Sequence, residues 1–156
     1  MNAEDLRRTY QPRRVKTLFV GESAPVGGNF FYRGDSALFR YSCEGFDARP
    51  ESFLDEFRDR GFWLVDLCGA PVNGLSRPER RSRRRQGVGP LAEIIRGLRP
   101  EAVVVVMKGI LPDVHRALEL ADLGNLKPHA LPFPAFGHQR KYVSGLRELL
   151  PDLPTA

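Results

Sequence analysis

Cysteine is almost absent from this 156-residue chain. Cys43 and Cys68 stand alone, in no metal-like or redox spacing. They offer no disulfide framework, and two reduced thiols in a cytoplasmic protein are the expectation. Histidine is scarce as well, with three in all, and the acids are scattered; no metal-ligand spacing results, so neither a metal nor a cofactor is expected. No apolar run approaches the roughly 20 residues that cross a bilayer. The opening MNAEDLRRTY carries acids and no apolar stretch, unlike a secretory signal. The chain also lacks G-x-S-x-G, G-x-x-x-x-G-K and G-x-G-x-x-G, the marks of serine hydrolases, phosphate-binding loops and dinucleotide folds. Lysine is sparse, so arginine supplies most of the net charge of +5. An arginine-rich domain suits a polyanionic partner, although charge alone names none.

What is present is an alternation of strands and helices. Lys16 to Val20 reads as a short buried strand, and Phe62 to Leu67 as a second, apolar except for Asp66. Ala102 to Met107 (AVVVVM) is apolar on both faces and must be central. His129 to Leu131 is a short fourth strand. Helices are expected over 35–41, capped by Asp35 or Ser36, and over 50–60, 90–98, 112–121 and 139–150. Ala70 to Gly89, with its arginine run, reads as a long polar loop that charge repulsion keeps mobile. This order predicts one α/β domain over 1–156, a three-layer α/β/α sandwich on a four-stranded, mostly parallel sheet. Residues 1–14 are expected to be a flexible lead-in, and a monomer is the default at this size.

The most informative stretch is VKTLFVGESAPVGGNFFYRGDSALFR, Val15 to Arg40. A strand ends at Gly21, an acid follows at Glu22, then a small-residue turn and three aromatics. Ligands of open parallel sheets bind beyond the carboxyl ends of the strands. A carboxylate and aromatic rings delivered there suit a flat ring plus one charged group. This stretch resembles the first motif of the uracil-DNA glycosylase superfamily. WLVDLCGAPVN is similar to that family's strand and loop bearing a base-reading residue. AVVVVMKG falls at its third strand, and LPFPAFG, Leu131 to Gly137, at its His-Pro-Ser motif and DNA-inserting loop. The likeness runs from about Val15 to Leu150.

The resemblance implies that Glu22 activates water or stabilises the cation-like sugar as the base departs. A carboxylate capping the following turn is the plainer alternative. Phe31 falls where the family stacks a ring on the extruded base, with Tyr32 beside it; three adjacent aromatics are not expected all to face the core. Gly21 and Ser23 flank Glu22 in the same expected pocket. Asp66 stands where the family often has asparagine. An ionised aspartate only accepts hydrogen bonds, so it suits a base edge that presents N–H donors; a structural ion pair with an arginine is an equal alternative. Asn73 is a weaker candidate for the reading role. Leu131 replaces the family's histidine and cannot donate to a departing base, and neither His129 nor His138 is in register to replace it. Phe133 or Phe136 would fill the gap left by a flipped base. Arg80, Arg81, Arg83, Arg84, Arg85 and Arg140 are expected to contact DNA phosphates.

The resemblance therefore implies a cofactor-free DNA glycosylase-like protein of the cytoplasm or nucleoid, removing uracil or a related deaminated base from DNA. The changes at Asp66 and Leu131 keep a second reading open: a nucleic-acid or nucleobase-binding module with weak or no catalysis.

Overall fold

The computed structural model describes residues 1–156. Four strands form one parallel sheet: β1 (Thr17–Gly21), β2 (Phe62–Asp66), β3 (Ala102–Val105) and β4 (His129–Ala130), in the order β2-β1-β3-β4. Six helices accompany them: α1 (Ala3–Thr9), α2 (Ala37–Phe46), α3 (Phe53–Asp59), α4 (Arg77–Leu98), α5 (Leu111–Leu120) and α6 (Gln139–Leu149). α4 packs on α5, and α2 on α6, so the sheet is the middle layer of a three-layer α/β sandwich. β1 and β3 are central and wholly buried, as the unbroken apolar runs require.

The register places Gly21 beside Asp66, so Glu22 and Asp66 leave the sheet at the same edge. Backbone bonds from Leu67 to Gly21 and from Cys68 to Glu22, both 2.8 Å, carry the pairing past the strand ends.

The largest departure from expectation is α4. Residues 77–89 are helix, not loop, and join the expected 90–98 helix into a rod of 22 residues. Ser76 caps it, accepting a hydrogen bond from the Glu79 amide (3.3 Å), and Pro78 lies in the first turn, where its missing N–H costs nothing. The arginine repulsion that argued for a loop is relieved because Arg80 and Arg84 pair with an acid outside the helix.

The N-terminal segment carries helix α1. Asn2 and Asp5 form a reciprocal cap on α1, and Trp63 Nε1 donates to the Arg7 carbonyl at 3.0 Å. The run Phe30, Phe31, Tyr32 differs from expectation in that all three side chains are buried, although Phe30 and Phe31 also border a cleft. A three-ten turn spans Phe31–Arg33, and Tyr32 packs against both neighbouring rings, 5.8 Å from Phe30 and 5.1 Å from Phe31 between centroids. Phe31 meets Tyr32, Phe57 and Phe53 at centroid distances of 5.1, 5.5 and 6.0 Å, near edge-to-face with each. Cys43 and Cys68 are free and buried.

Candidate functional site

A cleft of about 250 Å³ opens beyond the carboxyl ends of β1 and β2. Its lining includes Ser23, Phe30 and Phe31 from the segment after β1, Leu64 and Asp66 of β2, and Phe133 from the loop after β4. Most of the lining is apolar, with Asp66 its one ionisable side chain. The volume lies just below the roughly 300–1,000 Å³ typical of drug-sized ligands. A single small heterocycle is the right scale.

Asp66 is the chemical feature of this cleft. Its Oδ2 accepts from Arg7 Nη2 at 3.3 Å, and no protein group donates to Oδ1. Oδ1 lies against Gly21, where an added Cβ would stand 2.9 Å away. Any side chain at that position would displace the carboxylate, which gives Gly21 its role. Burial pushes the Asp66 carboxyl up to about 6; Arg7 opposes this, and the nearby Glu22 charge adds to it. Arg7 itself is held by Glu4 at 2.9 Å and lies 5.4 Å from the centre of the Phe30 ring. Its Nε is buried without a partner. Sequence reasoning missed Arg7. Nothing local in α1 signals a partner 59 residues away.

Glu22 lies beside the cleft, not in its lining. It is held from the other side by α4. Arg80 Nε donates to Oε2 at 2.8 Å and Arg80 Nη2 to Oε1; Arg84 Nε donates to Oε2 at 2.6 Å. The Glu22 side chain is 3% exposed, whereas those of Arg80 and Arg84 are 30% and 21% exposed. Burial would raise its pKa, but the hydrogen bonds and charges of Arg80 and Arg84 outweigh this and hold it below the ordinary carboxylate range. The capping alternative for Glu22 gives way to a double ion pair.

The remaining candidates separate. Ser23 lines the cleft and accepts from the Val72 amide at 3.2 Å. Phe31 lines the cleft and is at the same time buried, at 4% exposure, among the core rings. Tyr32 lies deeper. Its hydroxyl donates to the Leu64 carbonyl (3.1 Å) and accepts from the Leu64 amide (2.7 Å), a structural role, and burial raises its pKa. Asn73 accepts from the Val26 amide at 3.2 Å and ties the two loops together. Arg81 and Arg85 are exposed on the outer face of α4, one turn apart and free of ion pairs, as is Arg77 one turn earlier. Arg83 borders a separate hollow that Cys68 and Gly87 also line. Arg140 grips Glu44 with two bonds of 2.6 Å, which offsets its charge. His129 and His138 are exposed. Leu131 is buried and lies outside the cleft lining, toward Gly145 of α6. Phe136 is 97% exposed at the tip of the loop after β4, with a left-handed φ of 53°. A bulky apolar residue held out in that conformation is uncommon.

No three His, Cys, Asp or Glu side chains converge on a point where an ion would sit, and no helix is long and apolar enough to cross a membrane. No protein-family model and no curated protein matches this chain.

Proposed function

We propose that the chain is a DNA glycosylase-like enzyme that takes one extruded base into the cleft of Asp66 and hydrolyses its N-glycosidic bond. The supporting observation is the cleft itself: a single-ring-sized, largely apolar hollow with one carboxylate, a second carboxylate beside it, and arginines on the adjoining helix. Enzymes that act on a base must first take it out of the stack. The apolar walls from Phe30, Phe31 and Phe133 would hold its faces. Asp66 Oδ1, free of protein donors, would accept an N–H from its edge. Glu22 would stabilise the cation-like sugar or orient the attacking water. Water adds to the sugar carbon, the carbon–nitrogen bond breaks, and its electron pair leaves on the base, which takes up a proton. Phe136 would occupy the space the base vacates, as apolar wedges do in other DNA complexes. Arg77, Arg81 and Arg85 would follow the phosphates.

The test is an excision panel: oligonucleotides carrying uracil, xanthine or hypoxanthine, with the wild type and Glu22→Gln. Excision of at least one lesion is expected, reduced about a hundredfold or more in the variant. If no lesion is released, the enzyme reading is wrong.

A second reading has its own support. Glu22 is fully engaged by two arginines, and Leu131 is a core residue with nothing to donate. A binding module on this fold would hold nucleic acid or a nucleobase without turnover. Retained, salt-sensitive oligonucleotide binding with no base release would favour it.

A further inference from the structure

The chain runs from β1 out to β2, then back across to β3. The strand order therefore reverses between β1 and β3, and the crevice beyond their carboxyl ends is where open parallel sheets hold ligands. Here that crevice is filled by arginine. Arg84 pairs with Glu22 from the loop after β1, and its Nη1 lies 3.4 Å from the Gly109 carbonyl oxygen in the turn after β3. Its Nη2 lies 3.9 Å from Met107 Sδ. Arg80 grips the same carboxylate from one turn earlier, and its own Nη1 has no protein partner.

The Glu22 side chain is buried while those of Arg80 and Arg84 are partly exposed, so an ion arriving from solvent meets the arginines first. Two cations on one anion leave a net positive charge. Arg77, Arg81 and Arg85 add unpaired cations along the same helix. A guanidinium fork fits a phosphodiester as it fits a carboxylate, with the same two-point geometry.

We propose that Arg80 and Arg84 form a phosphodiester-binding site whose resident anion is Glu22, and that a nucleic-acid phosphate draws them off the carboxylate. What the released carboxylate then does rests on the glycosylase reading; the exchange of anions does not. Unpairing a buried carboxylate is costly. A single inorganic phosphate is therefore a poor competitor. A strand that also engages Arg77, Arg81 and Arg85 supplies the additional binding free energy.

The experiment measures binding of an undamaged single-stranded oligonucleotide, so no excision enters the readout. Four proteins are compared: wild type, Glu22→Gln, Glu22→Asp and Glu93→Gln. Glu93 pairs with Arg96 further along the same helix, so its variant changes net charge as Glu22→Gln does. Glu22→Asp keeps the charge and shortens the reach of the internal anion. Both Glu22 variants are expected to bind about tenfold tighter than wild type, and Glu93→Gln less than threefold tighter. Adding Arg80→Gln and Arg84→Gln to Glu22→Gln should abolish the gain. The slope of log affinity against log salt should steepen by about 0.7 for each arginine turned to the strand. Inorganic phosphate alone should bind Glu22→Gln and leave the wild type unoccupied at the same concentration. Should Glu22→Gln fail to fold, Glu22→Asp decides the matter by itself. Equal shifts in Glu22→Gln and Glu93→Gln, or no gain in Glu22→Asp, would overturn the proposal, whether or not the protein excises any base.

Discussion

Gly87 of α4 lies directly on the backbone of Leu67, so that a Cβ added to the glycine would stand 2.0 Å from the Leu67 carbonyl oxygen. This contact brings α4 down onto the end of β2 and so carries Arg80 and Arg84 to Glu22. Alanine is the better helix former by about 1 kcal/mol, yet here it meets main chain that cannot swing aside. Gly87→Ala is expected to destabilise by about 1–3 kcal/mol, and more if α4 lifts from the sheet. Gly97, on the same helix, has nothing within 4 Å of its added Cβ. Gly97→Ala should stabilise by up to about 1 kcal/mol. Urea denaturation of the two variants checks both; equal shifts would refute the close approach.

Asp66 gives a pH signature. Its carboxyl rises from 3.8 to about 6 on folding, so the folded protein holds this proton more tightly than the unfolded chain. The stabilisation is complete below about pH 4 and is lost as pH rises through 6. At about 1.4 kcal/mol per tenfold, the loss is about 3 kcal/mol. Asp66→Asn has no proton to lose, so its stability relative to wild type should climb across the same interval. Any constant cost of leaving Arg7 without its partner moves the whole curve and leaves its slope alone. Denaturant midpoints from pH 4 to 7 provide the check. A constant gap between the two proteins would mean that Asp66 is not the titrating group.

Much of the architecture was legible because it rests on local pattern. β3 announces itself as central through Ala102 to Val106, where no polar side chain interrupts either face. Residues 77–89 read as a loop because adjacent arginines repel, yet they form helix. The start signals were there: Ser76, Pro78 in the first turn, and Glu79 three residues after the cap. What relieves the repulsion is Glu22, 58 residues earlier in the chain, and no window of sequence shows that pairing. The candidate site divides the same way. Gly21, Ser23 and Asp66 could be placed at a strand end from periodicity alone. That Phe31 packs against core rings and also borders the cleft of Asp66 depends on how the chain turns after Phe30. The bond from Arg7 to Asp66 depends on where α1 docks, which is a tertiary matter.

The buried hydroxyls of Ser42 and Tyr142 lie 2.7 Å apart and join α2 to α6. Each is the other's partner in an otherwise apolar layer. Tyr142→Phe leaves the serine unsatisfied, and Ser42→Ala does the same to the tyrosine; each should cost about 1–3 kcal/mol. The double variant leaves neither hydroxyl orphaned, so it should lose less than the two single losses combined. A double-mutant cycle by chemical denaturation measures the coupling. Strict additivity would show that the two groups do not depend on each other.

The proposed glycosylase reading would want a hydrogen-bond donor at Leu131, so introducing a histidine there is an obvious experiment. The structure predicts that it fails. Leu131 continues the pairing of β4 through its amide, which donates to the Val105 carbonyl at 2.8 Å. Its side chain is buried against α6, and an added Cβ on Gly145 would stand 2.9 Å from its Cδ2. A histidine in that place points into the layer between sheet and helix, away from the cleft of Asp66 and Phe133. Leu131→His is therefore expected to cost about 2–4 kcal/mol, from lost packing and a buried ring nitrogen without a partner. Base release by the variant, on the same panel of lesions, should be no faster than in wild type. A gain in excision with stability kept would mean that the loop after β4 turns Leu131 toward the bound base when DNA is present, and the cleft would then have to be redrawn to include it.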